Sequence, residues 1–452
     1  MKRGTNTGSI TAVLHRNLKV TPPLVVRSSG AYLIDSEGRK YIDACGGAAV
    51  SCLGHNNRRI VDAISKQLDK VAYAHTSFFT NEPAEQLARA LVDRAPIGFG
   101  NGRVMFLGSG SEAMEAALKL ARQYHLERGA VKRSRVIARE MAYHGNTLGA
   151  LAVGGHPQRR APYEPLLIEV GRVPACYGYR NKKEGEIEEA FGERMANALA
   201  DEILRLGPET VAAFVCEPVS GATLGCVPPA TGYFERVREI CTRYGVLLIA
   251  DEVMCGMGRT GTTFALEQEE TAPDIITIAK GLGAGYQPIA GVMASEQVVS
   301  TLVDGSSTLW NGHTYMSHAV ACAGALAVLQ VVEEEQLLNN VRTQGDRLGQ
   351  LLLDRFGDHP HVGDVRGRGL FWAIELVEDR LTKEPFPPAL NLASRIKSTA
   401  HDNGMLCYPS AGCVDGKRGD HVLLAPSYDV TQEQLHDVID ILDETIEACL
   451  ST

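Results

Sequence analysis

Lys280 is the residue from which the chemistry of this chain is read. It closes a short β-branched run, Asp274-Ile-Ile-Thr-Ile-Ala-Lys280, and a glycine-rich turn follows it. Such a run fits a strand buried on both faces of a parallel sheet, and ligands of open α/β sheets sit beyond the carboxyl ends of the strands. Other apolar runs also end in chemically useful groups. Residues 104–107 lead into Gly108-Ser-Gly-Ser111, and residues 135–138 lead to Tyr143-His144-Gly145. Residues 211–216 lead to Glu217-Pro218, and residues 246–250 close on Asp251-Glu252-Val253.

Each group has an ordinary reading as well as a chemical one. Gly108–Ser111 opens directly into a helix, so its backbone N–H groups and hydroxyls could hold an anion. It could equally be a capped helix start, with Ser111 and nearby glutamates serving as the cap. Tyr143 beside a glycine could lie flat on a planar ligand or simply pack. Asp251 closes a wholly apolar strand, where an unpaired carboxylate is costly, so it calls for a partner. An ordinary salt bridge to a lysine or arginine, Lys280 included, would supply one. Taken together, the groups meet the needs of one cofactor, pyridoxal 5′-phosphate. Its phosphate needs a cradle, its ring a stacking face, its pyridine nitrogen a carboxylate, and its aldehyde a lysine for a Schiff base.

With these motifs in hand, the chain resembles the class III aminotransferases, a subgroup of the fold-type I pyridoxal-phosphate enzymes. The likeness runs from about residue 20 to near the C-terminus. It rests on Ile42-Asp-Ala-Cys-Gly-Gly47, Ser109-Gly-Ser-Glu-Ala-Met-Glu115, Tyr143-His-Gly145, Glu217-Pro218, Leu248-Ile-Ala-Asp-Glu-Val253, Gly258-Arg-Thr-Gly261, Ala279-Lys-Gly-Leu282, Thr314-Tyr315 and Arg366-Gly-Arg-Gly-Leu370. The resemblance implies that Lys280 carries the cofactor and acts as the proton-transferring base, with Asp251 on the pyridine nitrogen. It implies that Tyr143 and Val253 sandwich the ring and that Gly110 and Ser111 hold the phosphate. Ser109 and His144 join the cofactor contacts, and Glu217 sits close to Asp251. Thr314 is similar to the threonine that reaches the phosphate from a second subunit. A homodimer with active sites at its interface is therefore implied, with a tetramer as the alternative.

The implied reaction is ping-pong transfer of an amino group from an amine or ω-amino acid to a 2-oxo acid such as pyruvate. An epimerase or an amino-phosphate lyase would use the same lysine and is the competing reading. A nucleotide-binding module fits less well, because the Gly-Ser-Gly-Ser turn lacks the full G-x-G-x-x-G. Arg418, in Gly416-Lys-Arg-Gly-Asp-His421, is expected to bind the acceptor carboxylate through its planar fork. A solvated loop charge is the alternative, and Arg259 is a second candidate. Phe78 and Phe79 are expected to shape the mouth of the pocket or an interface. Departures from the family pattern, such as Gly108 where Asn is common and Ser317-His-Ala319 after Thr-Tyr, bear on substrate fit.

The elements that must position these groups alternate. Strands over 103–107, 135–138, 211–216, 246–250, 275–279 and 289–293 are separated by helices over 112–128, 146–153, 186–206 and 233–244, with a long loop over 155–182. That alternation argues for an α/β fold with a mostly parallel sheet covered on both faces. The family likeness makes it a seven-stranded type. Helices over 59–71 and 82–93 precede it, the second started by Asn81 and Pro83. Helices over 338–356, 388–404 and 431–448 with strands over 369–376 and 421–425 suggest a smaller α+β domain. The expected division is an N-terminal arm and hairpin (1–60) packing with the small domain, a large cofactor-binding domain (61–330) and a C-terminal small domain (331–452).

Composition narrows the partners. With 452 residues and a formal net charge of −9, the chain has no basic block interleaved with aromatics, which argues against nucleic acid. No run reaches membrane length, and the N-terminal residues lack the apolar core of a signal peptide. The 11 cysteines are odd in number and contain no C-x-x-C, so a reduced cytoplasmic protein without structural metal is expected.

Overall fold

The apolar runs pair side by side in the computed structural model, which describes residues 11–451. The first ten residues of the expected arm, with the signal-peptide reading made on them, lie outside the described residues. Seven strands form the central sheet, in the order Arg103–Leu107, Ala290–Ala294, Ile275–Ile278, Leu247–Asp251, Val211–Cys216, Arg135–Arg139, Gly171–Val173. Ala290–Ala294 runs antiparallel to both its neighbours, and the remaining pairs are parallel.

Side-chain alternation explains why both faces are covered. Ala213, Val215, Leu247 and Ile249 point to one face, where Ala113, Met114, Ala117 and Leu120 of helix Gly110–Glu127 meet them. Phe214, Cys216, Leu248 and Ala250 point to the other, against Phe191 and Leu199 of Glu188–Leu206 and Val237 and Ile240 of Tyr233–Tyr244. A fully buried side chain of this size stabilises the fold by about 1.5–3 kcal/mol, so the sheet is a rigid platform for its own strand ends.

The hairpin of Tyr32–Asp35 and Lys40–Asp43 joins Val25–Ser29 on one side and Met405–Leu406 on the other, the last pairing in parallel with Lys40–Asp43. A second four-stranded sheet, Val362–Arg368, Phe371–Leu376, Asp420–Leu424 and Tyr408–Ala411, is antiparallel throughout. Ile42, Cys52 and Leu53 share one core with Leu348, Phe356, Ile374, Ile439 and Leu442, so residues near the N-terminus pack with the C-terminal elements.

Two helix starts follow their caps. Asn57 and Asn81 accept from the backbone N–H groups of Arg59 and Ala84, and Pro83 sits in the first turn. Three readings needed revision. The loop expected over 155–182 contains helix Pro157–Arg160, the short edge strand Gly171–Val173 and helix Gly178–Asn181. The strand expected over 369–376 is half of a tight hairpin with Val362–Arg368, turning at Gly369 with φ +58°. Its first strand, Val-Gly-Asp-Val-Arg-Gly-Arg, hides its period behind glycines and charges. The helix expected over 388–404 shrinks to Leu392–Asp402, because Pro387 and Pro388 hold the preceding turn out of it. No helix among the described residues is long and apolar enough to cross a membrane.

Candidate active site

Lys280 begins where the strand Ile275–Ile278 gives way to a short 3-10 turn, Lys280–Leu282. Its φ of +47° lies in the left-handed region, a conformation that costs about 1–3 kcal/mol for a residue with a side chain. The turn holds it there, since the Lys280 carbonyl accepts from the N–H groups of Gly283 (3.0 Å) and Ala284 (2.9 Å). Burial pushes the amine below the usual lysine range, against the opposing pull of Asp251 and Glu217.

Asp251 ends the neighbouring strand and is buried. Its Oδ2 accepts from His144 Nδ1 at 2.7 Å, while Oδ1 accepts from Val253 N (3.1 Å) and Thr277 Oγ1 (3.2 Å). The ion-pair partner left open by the sequence is therefore His144 and not Lys280. His144, expected among the cofactor contacts, backs the carboxylate with one ring nitrogen, and its Nε2 is buried without a hydrogen-bond partner among the described residues. Glu217 is also buried; its Oε1 accepts from Tyr143 N (3.2 Å) and its Oε2 from Gly221 N (2.9 Å). Burial raises its carboxyl pKa, Asp251 adds to the rise and His144 opposes it. Below it, the Arg139 guanidinium donates to the Glu217 carbonyl and to Ser220 Oγ.

The turn after Arg103–Leu107 turns out to be both a cap and a cradle. Ser109, not Ser111, is the N-cap, accepting from Glu112 N at 3.2 Å. Ser111 lies in the first turn and accepts from Asn146 N at 2.9 Å. Glycine is required on both sides of it. A Cβ on Gly110 would stand 3.1 Å from Val253 Cγ1, and one on Gly145, with φ +134°, would stand 2.7 Å from Ser111 Oγ.

One cavity is lined by Gly110, Ser111, Tyr143, His144, Glu217, Asp251, Val253 and Lys280. The strand ends converge because parallel neighbours finish at the same edge of the sheet. Ser109 lies just outside, as the cap. Six lining residues escaped sequence reasoning: Arg16, Ala48, Arg159, Ala222, Met254 and Tyr408. The only local signal was the Arg159-Arg160 pair in a segment taken for a loop.

Four expected residues lie elsewhere. Thr314 is exposed, and its carbonyl accepts from Tyr73 Oη at 2.9 Å. Phe78 and Phe79 are 79% and 66% exposed and do not line the cavity. Arg418, expected to bind the acceptor carboxylate, does not line this cavity. Its guanidinium pairs with Asp415 at 2.8 Å and Glu384 at 3.1 Å on the surface, so its charge is already engaged. Arg259 is fully buried and does not line the cavity, donating to the carbonyls of Leu370 and Pro426 beside the Tyr428 ring.

The donor set fits pyridoxal phosphate. It offers a partly exposed amine with lowered pKa, a buried carboxylate held from behind, an aromatic face, and a glycine-lined helix N-terminus for an anion. Residues 13–446 match the family model for aminotransferase class-III. An uncharacterized aminotransferase of Schizosaccharomyces pombe is 46% identical over 95% of this chain and 94% of its own length. Gamma aminobutyrate transaminase 2 of Solanum lycopersicum is 36% identical over 94% of this chain and 92% of its own. Among solved structures, the omega transaminase of Pseudomonas jessenii in complex with PMP superposes with a TM-score of 0.89, at 32% identity, covering 98% of this chain and 96% of that one.

Proposed function

The chain belongs to the class III aminotransferases, enzymes of fold type I that use pyridoxal 5′-phosphate, and from that premise we propose how it works and on what. It moves an amino group from an amine or ω-amino acid to a 2-oxo acid such as pyruvate, in two half-reactions. The observation that carries this reading is the single cavity shared by Lys280, Asp251, Glu217 and Tyr143. The named activities of the tomato and Pseudomonas relatives support the donor class.

When bound, pyridoxal phosphate supplies an aldehyde that condenses with amines and a ring that withdraws electrons. Lys280 Nζ would hold it and would move the proton at the substrate carbon. Only a neutral amine can do this, and burial favours that form. Asp251 presents its carboxylate to the ring nitrogen, kept in direction by His144, Val253 and Thr277. Tyr143 and Val253 would hold the two ring faces, and Ser111 with the first N–H groups of helix Gly110–Glu127 would take the phosphate.

The active unit is a homodimer in which Thr314 of each protomer reaches the other's phosphate site. Its support is the exposed apolar surface around that residue, where Trp310 is 59% and Tyr315 68% exposed, and Tyr73, whose ring meets that of Tyr315, precedes the exposed Phe78 and Phe79 by a few residues. A reducing compartment, the cytoplasm, suits the eleven buried cysteines, none of them in a disulfide.

Single-turnover spectroscopy tests the reaction. Adding 1-phenylethylamine or β-alanine should convert the cofactor absorbance to that of its aminated form, and pyruvate should restore it. An enzyme that racemises or eliminates its substrate without that conversion would refute aminotransfer. Borohydride reduction followed by mass spectrometry should place the cofactor on Lys280.

A further inference from the structure

Arg159 sits in the short helix Pro157–Arg160, and its guanidinium lies 4.8 Å over the Tyr143 ring. The helix is fixed from below. Arg160 donates to the carbonyls of Ala152 and Gly154, and Arg172 donates to those of Ala152, Val153 and Gly154 at the end of helix Leu148–Val153. It is also packed from outside by the loop that carries Arg418. A Cβ on Gly416 would stand 2.9 Å from Pro157 Cδ, and one on Gly412 would stand 3.1 Å from His156 Nε2. With its neighbours so engaged, Arg159 is left on the cavity side, where Arg16 of the N-terminal segment joins it. Both arginines act electrostatically on the Tyr143 hydroxyl, opposing the rise that burial causes in its pKa.

Neither arginine has a carboxylate partner among the described residues, in contrast to Arg418. The cavity's own acids cannot serve, because Asp251 is held by His144 and Glu217 by the backbone N–H groups of Tyr143 and Gly221. Arg16 and Arg159 are exposed at the cavity mouth, where their guanidinium groups can meet an anion carried by the substrate, and the planar fork favours a carboxylate. We propose that Arg159, assisted by Arg16, binds the substrate carboxylate and so selects carboxylate-bearing donors and acceptors. This rests on the aminotransfer reading above. The 2-oxo group's own carboxylate and the distal carboxylate of an ω-amino acid share that chemistry.

The test compares holoenzymes carrying Arg159→Ala, Arg159→Lys, Arg16→Ala and Arg418→Ala with the wild type. Half-reactions are followed with β-alanine, 1-phenylethylamine and pyruvate, and propionate is titrated as an unreactive carboxylate through its effect on cofactor absorbance. Losing a charge-assisted pair should weaken saturation by β-alanine or pyruvate about 10- to 100-fold more than by 1-phenylethylamine, which has no carboxylate. Propionate affinity should fall in step, and Arg159→Lys should recover part of the loss. Whichever of β-alanine and pyruvate responds identifies the carboxylate bound. Equal losses for all three substrates, weakened retention of the cofactor, or a selective loss in Arg418→Ala instead would overturn the assignment. Should the wild type aminate its cofactor from neither donor, the aminotransfer reading fails, while the propionate titration still decides whether Arg159 and Arg16 hold a carboxylate.

Discussion

Glu252, one residue beyond Asp251, is fully buried, and its carboxyl pKa is pushed up to about 7 by burial. Its two oxygens accept from the N–H groups of Ala265 (2.8 Å) and Leu266 (3.0 Å), pinning the segment behind the active-site strand. Those hydrogen bonds pull the pKa down, but burial outweighs them. The folded state therefore holds a proton that the unfolded chain, at the ordinary value of 4.5, has released. The sign follows from this. The contribution is fully present below pH 4.5 and is lost as pH rises through about 7. At about 1.36 kcal/mol per pKa unit the whole window is worth about 3 kcal/mol, and about 2.5 kcal/mol of it falls between pH 5 and 8. Glu252→Gln keeps the shape but cannot ionise. Its amide nitrogen must face one of the two donors, which costs about 1–3 kcal/mol at every pH. The wild type's advantage over Glu252→Gln should thus shrink by about 2.5 kcal/mol from pH 5 to pH 8. With an unfolding entropy of about 2.1 cal/mol/K per residue, that is a change of about 2–3 °C in the difference between their melting temperatures. Other titrating groups cancel in the comparison. Parallel melting-temperature profiles for the two proteins across this range would refute the buried, protonated Glu252.

The lowered pKa of Lys280 predicts that apoenzyme recaptures pyridoxal phosphate at a rate that rises with pH and levels off below the ordinary 10.5. A rise continuing to that value, followed by absorbance, would contradict it. Gly145→Ala should drive a methyl group into Ser111 Oγ at 2.7 Å and weaken cofactor affinity about 10- to 100-fold through strain at the cradle; unchanged affinity in a fluorescence titration would remove Ser111 from the phosphate site. Mixing inactive Lys280→Ala with a Thr314→Asp protomer should restore activity, since one site of the hybrid dimer then has both residues intact. Absence of restored activity in an isolated hybrid would rule out the shared site.

Strand-end chemistry was legible in the sequence because each group sits immediately after its own apolar run. In a parallel sheet the ends of successive strands meet at one edge, so sequence adjacency becomes spatial convergence without further information. Lys280, Asp251, Glu217, Tyr143 and Ser111 all reach the cavity by that route. Helix starts at Asn57 and Asn81 were legible for an equally local reason, a side chain capping its own backbone.

Placement of charges on irregular segments was a different matter. Arg418 and Arg159 both look like loop arginines, and their types alone favour neither. Asp415, three residues away, and Glu384, from another loop, claim Arg418, whereas Arg159 stays at the cavity mouth on a short helix that Arg160 and Arg172 tie to the carbonyls beneath it. The partner of Asp251 was likewise decided by packing, which brings His144 across from the loop after Arg135–Arg139, two strands away in the sheet. The sequence by itself determined which chemical groups stand at the sheet edge, because covalent order and strand direction suffice for that. Only the tertiary structure decided which arginines remain free to meet a substrate, because charge pairing depends on neighbours that are distant along the chain.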